Sequence, residues 1–351
     1  MRSPALRHVL THLITPLLMC LGMGLAYMGA FVHPEPNHMP VAVVGAGPRA
    51  KVLAQTIKDT AGDKLDVRTV PTRAAAVGLL RSRTVTGAYV PSAKAPELIV
   101  AIAASDTGAT AVEQVFTTVA AKEGVALKVT DVARPVADDP TGQGLFFLLI
   151  AVSIGSYASV AALGAAGAAL PMRIRALLAL GVSAVVGGIG TFLAGPVFHL
   201  AQHDLAEVWG MAWLYSAGIL LVGVGLHTFL KRWTTLTMMV LFVMLNFTSS
   251  GGLFRPELQN GFFGTLHAFW NGAGFVEGVR SLLYFGSDGL SRNVWTLAVW
   301  LLAGLTVTAI AAVHERAKAA PDAAVVVPQF PAGLADEMAA AEEEAEETVG
   351  V

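Results

Sequence analysis

Six stretches of this 351-residue chain run for 22 residues or more without an Asp, Glu, Lys or Arg, and that pattern constrains the fold more than any motif. They are His8–Pro34, Pro140–Met172, Ala176–His203, Val208–Leu230, Trp233–Phe254 and Asn293–His314. A hydrocarbon core of about 30 Å is crossed by about 20 apolar residues rising about 1.5 Å each, so every stretch has room for a spanning helix. A helix satisfies its own backbone groups in lipid, and none of the stretches has the two-residue alternation of a membrane barrel. The expected class is an all-α polytopic membrane domain of six helices in a one-plus-five arrangement, with an α/β domain inserted between helices 1 and 2. The helices are predicted at residues 10–32, 144–166, 176–197, 209–230, 234–250 and 293–314.

Basic residues set the expected orientation. Arg2 and Arg7 precede the first stretch, Arg173 and Arg175 separate the second from the third, Lys231 and Arg232 separate the fourth from the fifth, and Arg316 and Lys318 follow the sixth. The turn between the third and fourth carries Asp204 and Glu207 but no Lys or Arg. The positive-inside rule then places both termini and the two basic turns in the cytoplasm, and residues 33–139 outside, for a multi-pass protein of the plasma membrane. The first stretch reads as a retained anchor. Its apolar run exceeds a usual signal-peptide core, and Met28-Gly29-Ala30 is a poor cleavage site. The single Cys20 lies within it, so no intrachain disulfide is expected.

Residues 1–9 are expected as a cytoplasmic N-terminus and 33–139 as the α/β domain. In that domain Val41–Val44, Leu65–Val70, Gly87–Val90, Glu97–Ala103 and Leu127–Val132 read as strands. Arg49–Thr60, Thr72–Arg83 and Ala109–Glu123 read as helices. Strands alternating with helices argue for layered packing with some parallel pairing. Gly45-Ala-Gly47-Pro48-Arg49-Ala50 has the spacing of a dinucleotide fingerprint, but Pro48 follows the second Gly and Asp66 stands at the start of the second strand rather than its end. A tight strand-to-helix turn is the expected role. No cofactor or metal is expected: His33, Glu35 and His38 lie in a proline-rich linker, and His199 with His203, spaced i, i+4 on an expected interfacial helix, lacks the general-base Glu of a zinc motif. No basic patch suited to nucleic acid is present.

The membrane domain, 144–314, has small residues at four-residue spacing, such as Ala151, Gly155 and Ser159, and Ser183, Gly187 and Thr191, which suits close helix packing in lipid. None of its spans holds an Asp, Glu, Lys or Arg, so proton-coupling carboxylates are missing. The segment from Ser249 to Arg292 is apolar, aromatic and broken by Gly and Asn. Its core, 251–291, is expected to form helical pieces lying in or dipping into the outer leaflet. Asn246, Ser249 or Ser250, and His267 raise an intramembrane serine protease, but nothing in the sequence brings the His to a Ser. After Lys318 the chain turns to Ala, Pro and Glu, and residues 315–351 read as a disordered acidic cytoplasmic tail.

An anchor, an α/β domain opening Met39-Pro-Val-Ala-Val-Val, and five spans whose last outer loop reads Ser-Gly-Gly-x-Phe, Pro-Glu-Leu, Gly-Phe-Phe, Glu-Gly-x-Arg and Tyr-Phe-Gly together resemble the permease subunit of type 2 ABC exporters, most similarly the YhgE/Pip-like branch. The resemblance implies that Ser250, Gly251, Gly252, Phe254, Pro256, Glu257 and Leu258 open an outer re-entrant hairpin along the transport path. Gly261, Phe262, Phe263, Glu277, Arg280, Tyr284 and Gly286 complete it. It implies ATPase coupling at the Arg173/Arg175 turn, with Lys231 and Arg232 on the same side. No phosphate-binding loop occurs on the chain, so ATP would be used by a separate subunit. The implied function is outward movement of a hydrophobic or amphipathic compound by a homo- or heterodimer of permeases in membrane lipid, with no enzymatic activity on this chain. A non-transport alternative is an envelope scaffold, secretion accessory or surface receptor whose outer domain binds a protein.

Overall fold

A computed structural model describes residues 4–319. Arg2, the Arg7 side chain and the tail from residue 320 onward lie outside the described residues. The chain divides into two compact units, Met1–Ala312 and Val313–Val351.

Helix α1, Pro4–Phe31, is apolar from Leu13 onward, and that apolar stretch is almost entirely unburied. Then follow β1 (Met39–Val44), α2 (Pro48–Ala61), β2 (Leu65–Val70), α3 (Arg73–Arg81), β3 (Gly87–Val90), β4 (Glu97–Val100), α4 (Asp106–Lys122) and β5 (Lys128–Asp131). The strands form one mixed sheet in the order β2-β1-β3-β4-β5, with β3 and β4 antiparallel and the other pairs parallel. Ala101–Ala103, expected as the end of the fourth strand, instead turn away after Val100 towards the start of α4 at Asp106. Thr72 Oγ1 accepts from Ala75 N (3.1 Å) and Ser105 Oγ from Gly108 N (3.0 Å), capping α3 and α4 where their first turns leave donors unpaired.

Alternation along the strands sends side chains to two cores. Val41, Val43, Tyr89, Leu98 and Val100 pack with Ile57 of α2 and Val112 and Phe116 of α4. Ala42, Val70, Ala88 and Ile99 pack on the other face with Ala76 and Leu80 of α3. The Gly45 turn closes between β1 and α2 with a backbone φ of 150°, and a Cβ there would lie 2.5 Å from Ala50 Cβ. That space is taken by protein, in keeping with a tight turn.

The rest is helical: α5 (Gly144–Ala166), α6 (Met172–Phe192), α7 (Leu205–Leu230), α8 (Thr234–Met239), α9 (Leu245–Ser249), α10 (Gly261–His267), α11 (Asn271–Tyr284) and α12 (Leu290–Ala319). Among the described residues, five helical runs are long and apolar enough to cross a membrane: Leu13–Phe31, Gly144–Ala166, Met172–Val197, Leu205–Ser249 and Leu290–Lys318. The fourth is 45 residues long and is interrupted at Lys231, whose φ of 47° and ψ of −112° break the helical path. Helix α7 is the hub of the bundle, with its segment from Tyr215 to Gly225 buried throughout. Small residues allow its neighbours close. A Cβ on Gly187 of α6 would sit 3.0 Å from Trp213 N, and one on Gly225 would sit 2.8 Å from Thr308 N of α12.

A buried polar chain ties the bundle together. Ser153 on α5 bonds the Tyr215 hydroxyl, which also accepts from Asn246 Nδ2. Asn246 Oδ1 in turn accepts from Gly272 N on α11 at 2.5 Å.

Candidate functional site

The connection from α9 to α12 is built into three cores at once. Phe275, Val276 and Val279 of α11 belong to the bundle core. Leu258 is buried in one core of the α/β layer, and Phe285 in the other. The expected helical pieces are present as α10 and α11, and α11 is enclosed by protein: of its residues only Glu277 and Tyr284 are not fully buried.

Local chemistry fixes the loop's path. Ser250 Oγ donates to Phe247 O (3.0 Å) as α9 ends, and Gly252 N donates to Ser250 Oγ (3.1 Å). Gly251 takes φ 72°, and a Cβ there would meet His267 Cε1 at 2.6 Å, so glycine meets both a conformational and a spatial demand. Arg255 forks onto Glu257 through Nε and Nη2, each at 3.1 Å. Glu257 O accepts from Asn37 N (2.8 Å), pinning the loop to the linker after α1. Asn260 Oδ1 caps α10 by accepting from Phe263 N at 3.3 Å.

Glu277 stands at the centre of the site. It pairs with Arg280 one turn along α11, as the spacing predicted, and with Arg83 of the α/β layer at 2.8 Å. Arg83 Nη2 also donates to Ser281 Oγ (2.5 Å) and Asp288 O (2.9 Å), and its guanidinium lies 5.1 Å from the Phe285 ring centre. Arg280 is 2% exposed and donates through Nη2 to Gly251 O at 3.3 Å. His267 Nδ1 lies 2.9 Å from Ser249 O, an acceptor only, so this nitrogen carries the proton.

Burial opposes ionisation of Glu277, but Arg280 and Arg83 outweigh it and hold its carboxyl below the usual carboxylate range. Glu257 is likewise held down against burial by Arg255. Burial pushes His267 below its ordinary value despite the neighbouring Glu277, keeping the imidazole neutral. Both carboxylates are therefore charged, and their guanidinium partners compensate them.

Beside these groups is a cavity of about 270 Å³ lined by Arg83, Arg255, Glu257, His267, Glu277 and Arg292, with the first turns of α11 and α12 as walls.

Of the residues expected along the outer hairpin, Ser250, Gly251, Gly252, Pro256, Glu257, Glu277 and Arg280 converge on this junction. Others scatter. Phe254 packs its ring on Phe31 of α1 (5.6 Å between centres), Phe263 is buried beside Phe262, and Tyr284 is half-buried between the bundle core and the α3-side core. Gly261, Phe262 and Gly286 are exposed. At the other end of the bundle Arg173, Lys231 and Arg232 are exposed, as a contact surface requires, but Arg175 is not. It is 5% exposed and donates Nε to Leu170 O at 3.1 Å, so it braces its own turn.

Sequence reasoning missed Arg83 and Arg292 altogether. Arg83 follows α3 in a turn with φ 57°, and no local pattern pairs it with a residue 194 positions away. Arg255 carried a readable signal, since it stands two residues from Glu257 within the loop motif.

The expected helix bearing His199 and His203 is not formed. Pro196 ends the helical path, His199 takes φ 52°, and His203 pairs with Asp204 at 2.9 Å. Among the described residues no group of three or more His, Cys, Asp or Glu is placed to hold a metal. The Ser249 and Ser250 hydroxyls donate to the carbonyls of Leu245 and Phe247, while His267 bonds the Ser249 backbone. This arrangement builds no Ser–His pair.

Compared with protein-family models, curated proteins and solved structures, the chain matches none.

Proposed function

We propose that the chain is the membrane permease subunit of an ABC-type exporter, moving a hydrophobic or amphipathic compound outward with force from a separate ATPase. The observation that carries this reading is the sharing of one segment by three cores: α11 packs in the bundle, and its flanks, Leu258 and Phe285, pack in the two faces of the α/β layer. Because packed interiors transmit displacement rather than absorb it, a shift of the bundle helices would reorient the α/β layer and the charged junction together. A scaffold needs only a tether between its anchor and its binding domain.

In this reading the 45-residue run counts as two crossings broken at Lys231, which gives six in all, with both termini in the cytoplasm and residues 33–139 outside. Contacts support these segments lying on one common side. The segments that the basic residues place outside meet one another: Arg83 reaches Glu277, and Asp138 lies 3.9 Å from His199. With no ionisable carboxylate in the proposed spans, energy has to come from elsewhere, and the exposed Arg173, Lys231 and Arg232 offer the ATPase a basic face.

Purification in mild detergent tests the reading. An ATPase should co-purify and its hydrolysis should respond to the permease. Membrane-impermeant thiol reagents should reach a Cys placed at Lys94 and not one placed at Arg173. A correctly inserted chain that carries no ATPase would favour the envelope scaffold instead.

A further inference from the structure

The charged junction has more cation than it uses. Four guanidiniums, from Arg83, Arg255, Arg280 and Arg292, stand against the carboxylates of Glu257 and Glu277 and that of Asp288, which attracts Arg83 without a side-chain bond, while His267 bonds Ser249 O as a donor. The surplus is concentrated on the cavity. Arg255 commits Nε and Nη2 to Glu257, and Arg292 makes only a 3.4 Å contact from Nη2 to Ala268 O. A guanidinium has five donors, so these bonds leave N–H groups on both forks, and both residues line the cavity. At about 270 Å³ this space far exceeds the ~10–15 Å³ that admits a single water.

The surroundings point to the kind of anion. Phe269, next to the Ala268 wall, is 50% exposed, and Trp295, beside Thr296 on the α12 wall, is 71% exposed. Below them Val299 and Leu302 continue an exposed apolar face along α12. Aromatics at the top of such a face mark headgroup depth, and planar guanidinium forks match phosphate oxygens two at a time.

We infer that the Arg255/Arg292 cavity is a binding site for a phosphate group, with the headgroup of an anionic phospholipid as the ligand that also satisfies the aromatic rim and the apolar face. The site stands apart from the transport reading, since it requires neither an ATPase nor movement.

The test uses the full chain in nanodiscs or detergent, with tryptophan fluorescence or native mass spectrometry as the readout. Phosphatidylglycerol should bind saturably. A diacylglycerol of the same acyl chains, which lacks the phosphate, should bind at least tenfold more weakly. Arg292→Gln, at an exposed position, should lower phosphatidylglycerol affinity about tenfold, and Arg292→Lys should recover part of it, with unchanged melting temperatures for both variants. Inorganic phosphate separates the sources. Displacement of phosphatidylglycerol at comparable concentrations assigns a soluble phosphate, and displacement only at great excess assigns the lipid headgroup; each supports the site. Equal binding of diacylglycerol and phosphatidylglycerol, or an affinity that ignores Arg292→Gln, overturns it.

Discussion

The Arg83 guanidinium lies 2.8 Å from the Glu277 carboxylate across 194 positions of sequence, and this ion pair joins the α/β layer to the helical bundle. Both side chains are mostly buried, at 12% and 20% exposure, so the pair belongs with those whose disruption is costly. Arg83→Met should destabilise the protein by about 1–3 kcal/mol, because Arg280 still compensates Glu277 while the contacts to Ser281 and Asp288 vanish. Hydrogen exchange should rise in α3 and α11 together. A rise confined to α3 would mean that the pair does not couple the two regions.

Gly251 offers a sharper test of the junction's geometry. Its φ of 72° penalises a side chain, and so does His267, whose Cε1 would lie 2.6 Å from an added Cβ. Gly251→Ala should cost about 1–3 kcal/mol in detergent melts. Gly261→Ala is the control: it sits in the first turn of α10 with open space around its Cβ position, and it should be neutral or slightly stabilising.

Acid should weaken the junction in two steps. His267 has its folded pKa lowered by burial, so the unfolded chain takes up a proton first. Stability is then full above the ordinary value near 6.5 and falls as pH drops below it. Glu257 and Glu277 are also depressed, so their contribution is present above the ordinary value near 4.5 and is lost as pH falls towards their folded values. Melting temperature should decline from about pH 6.5 downward, and His267→Gln should flatten the slope between about pH 6.5 and 5. An unchanged slope in that variant would remove His267 from the explanation.

Charge patterning made the apolar helices legible, because the absence of Asp, Glu, Lys and Arg over 22 or more positions has few other uses. The α/β layer was legible from its alternation of β-branched runs and helical stretches, and Glu277 with Arg280 from their spacing. What escaped was long-range. Nothing local in Ser82-Arg83-Thr84 announces a partner on α11, and Leu258 and Phe285 read as interfacial aromatics and aliphatics rather than as pieces of a distant core. The burial of Arg175 escaped for a related reason. Beside Arg173 it looks like half of a basic turn, but helical geometry sends residues two apart to different faces, one outward and one against Leu170.

That difference decides how energy coupling is tested. With no phosphate loop on the chain and no carboxylate in the proposed spans, an active exporter must take force from an ATPase touching the basic end of the bundle. Arg175 must be left alone, since reversing a buried charge would disturb the turn itself. Arg173→Glu with Arg232→Glu alters only exposed positions and keeps the Arg175 brace. We expect the double variant to lose ATPase association and substrate efflux while its melting temperature stays within about 1 °C of the parent, as surface changes usually stay within ~0.5 kcal/mol. Reversed charges beside a span also bear on orientation, so thiol labelling at Lys94 has to confirm correct insertion first. If the variant inserts correctly, melts normally and still exports with its ATPase bound, the basic turns do not carry the coupling.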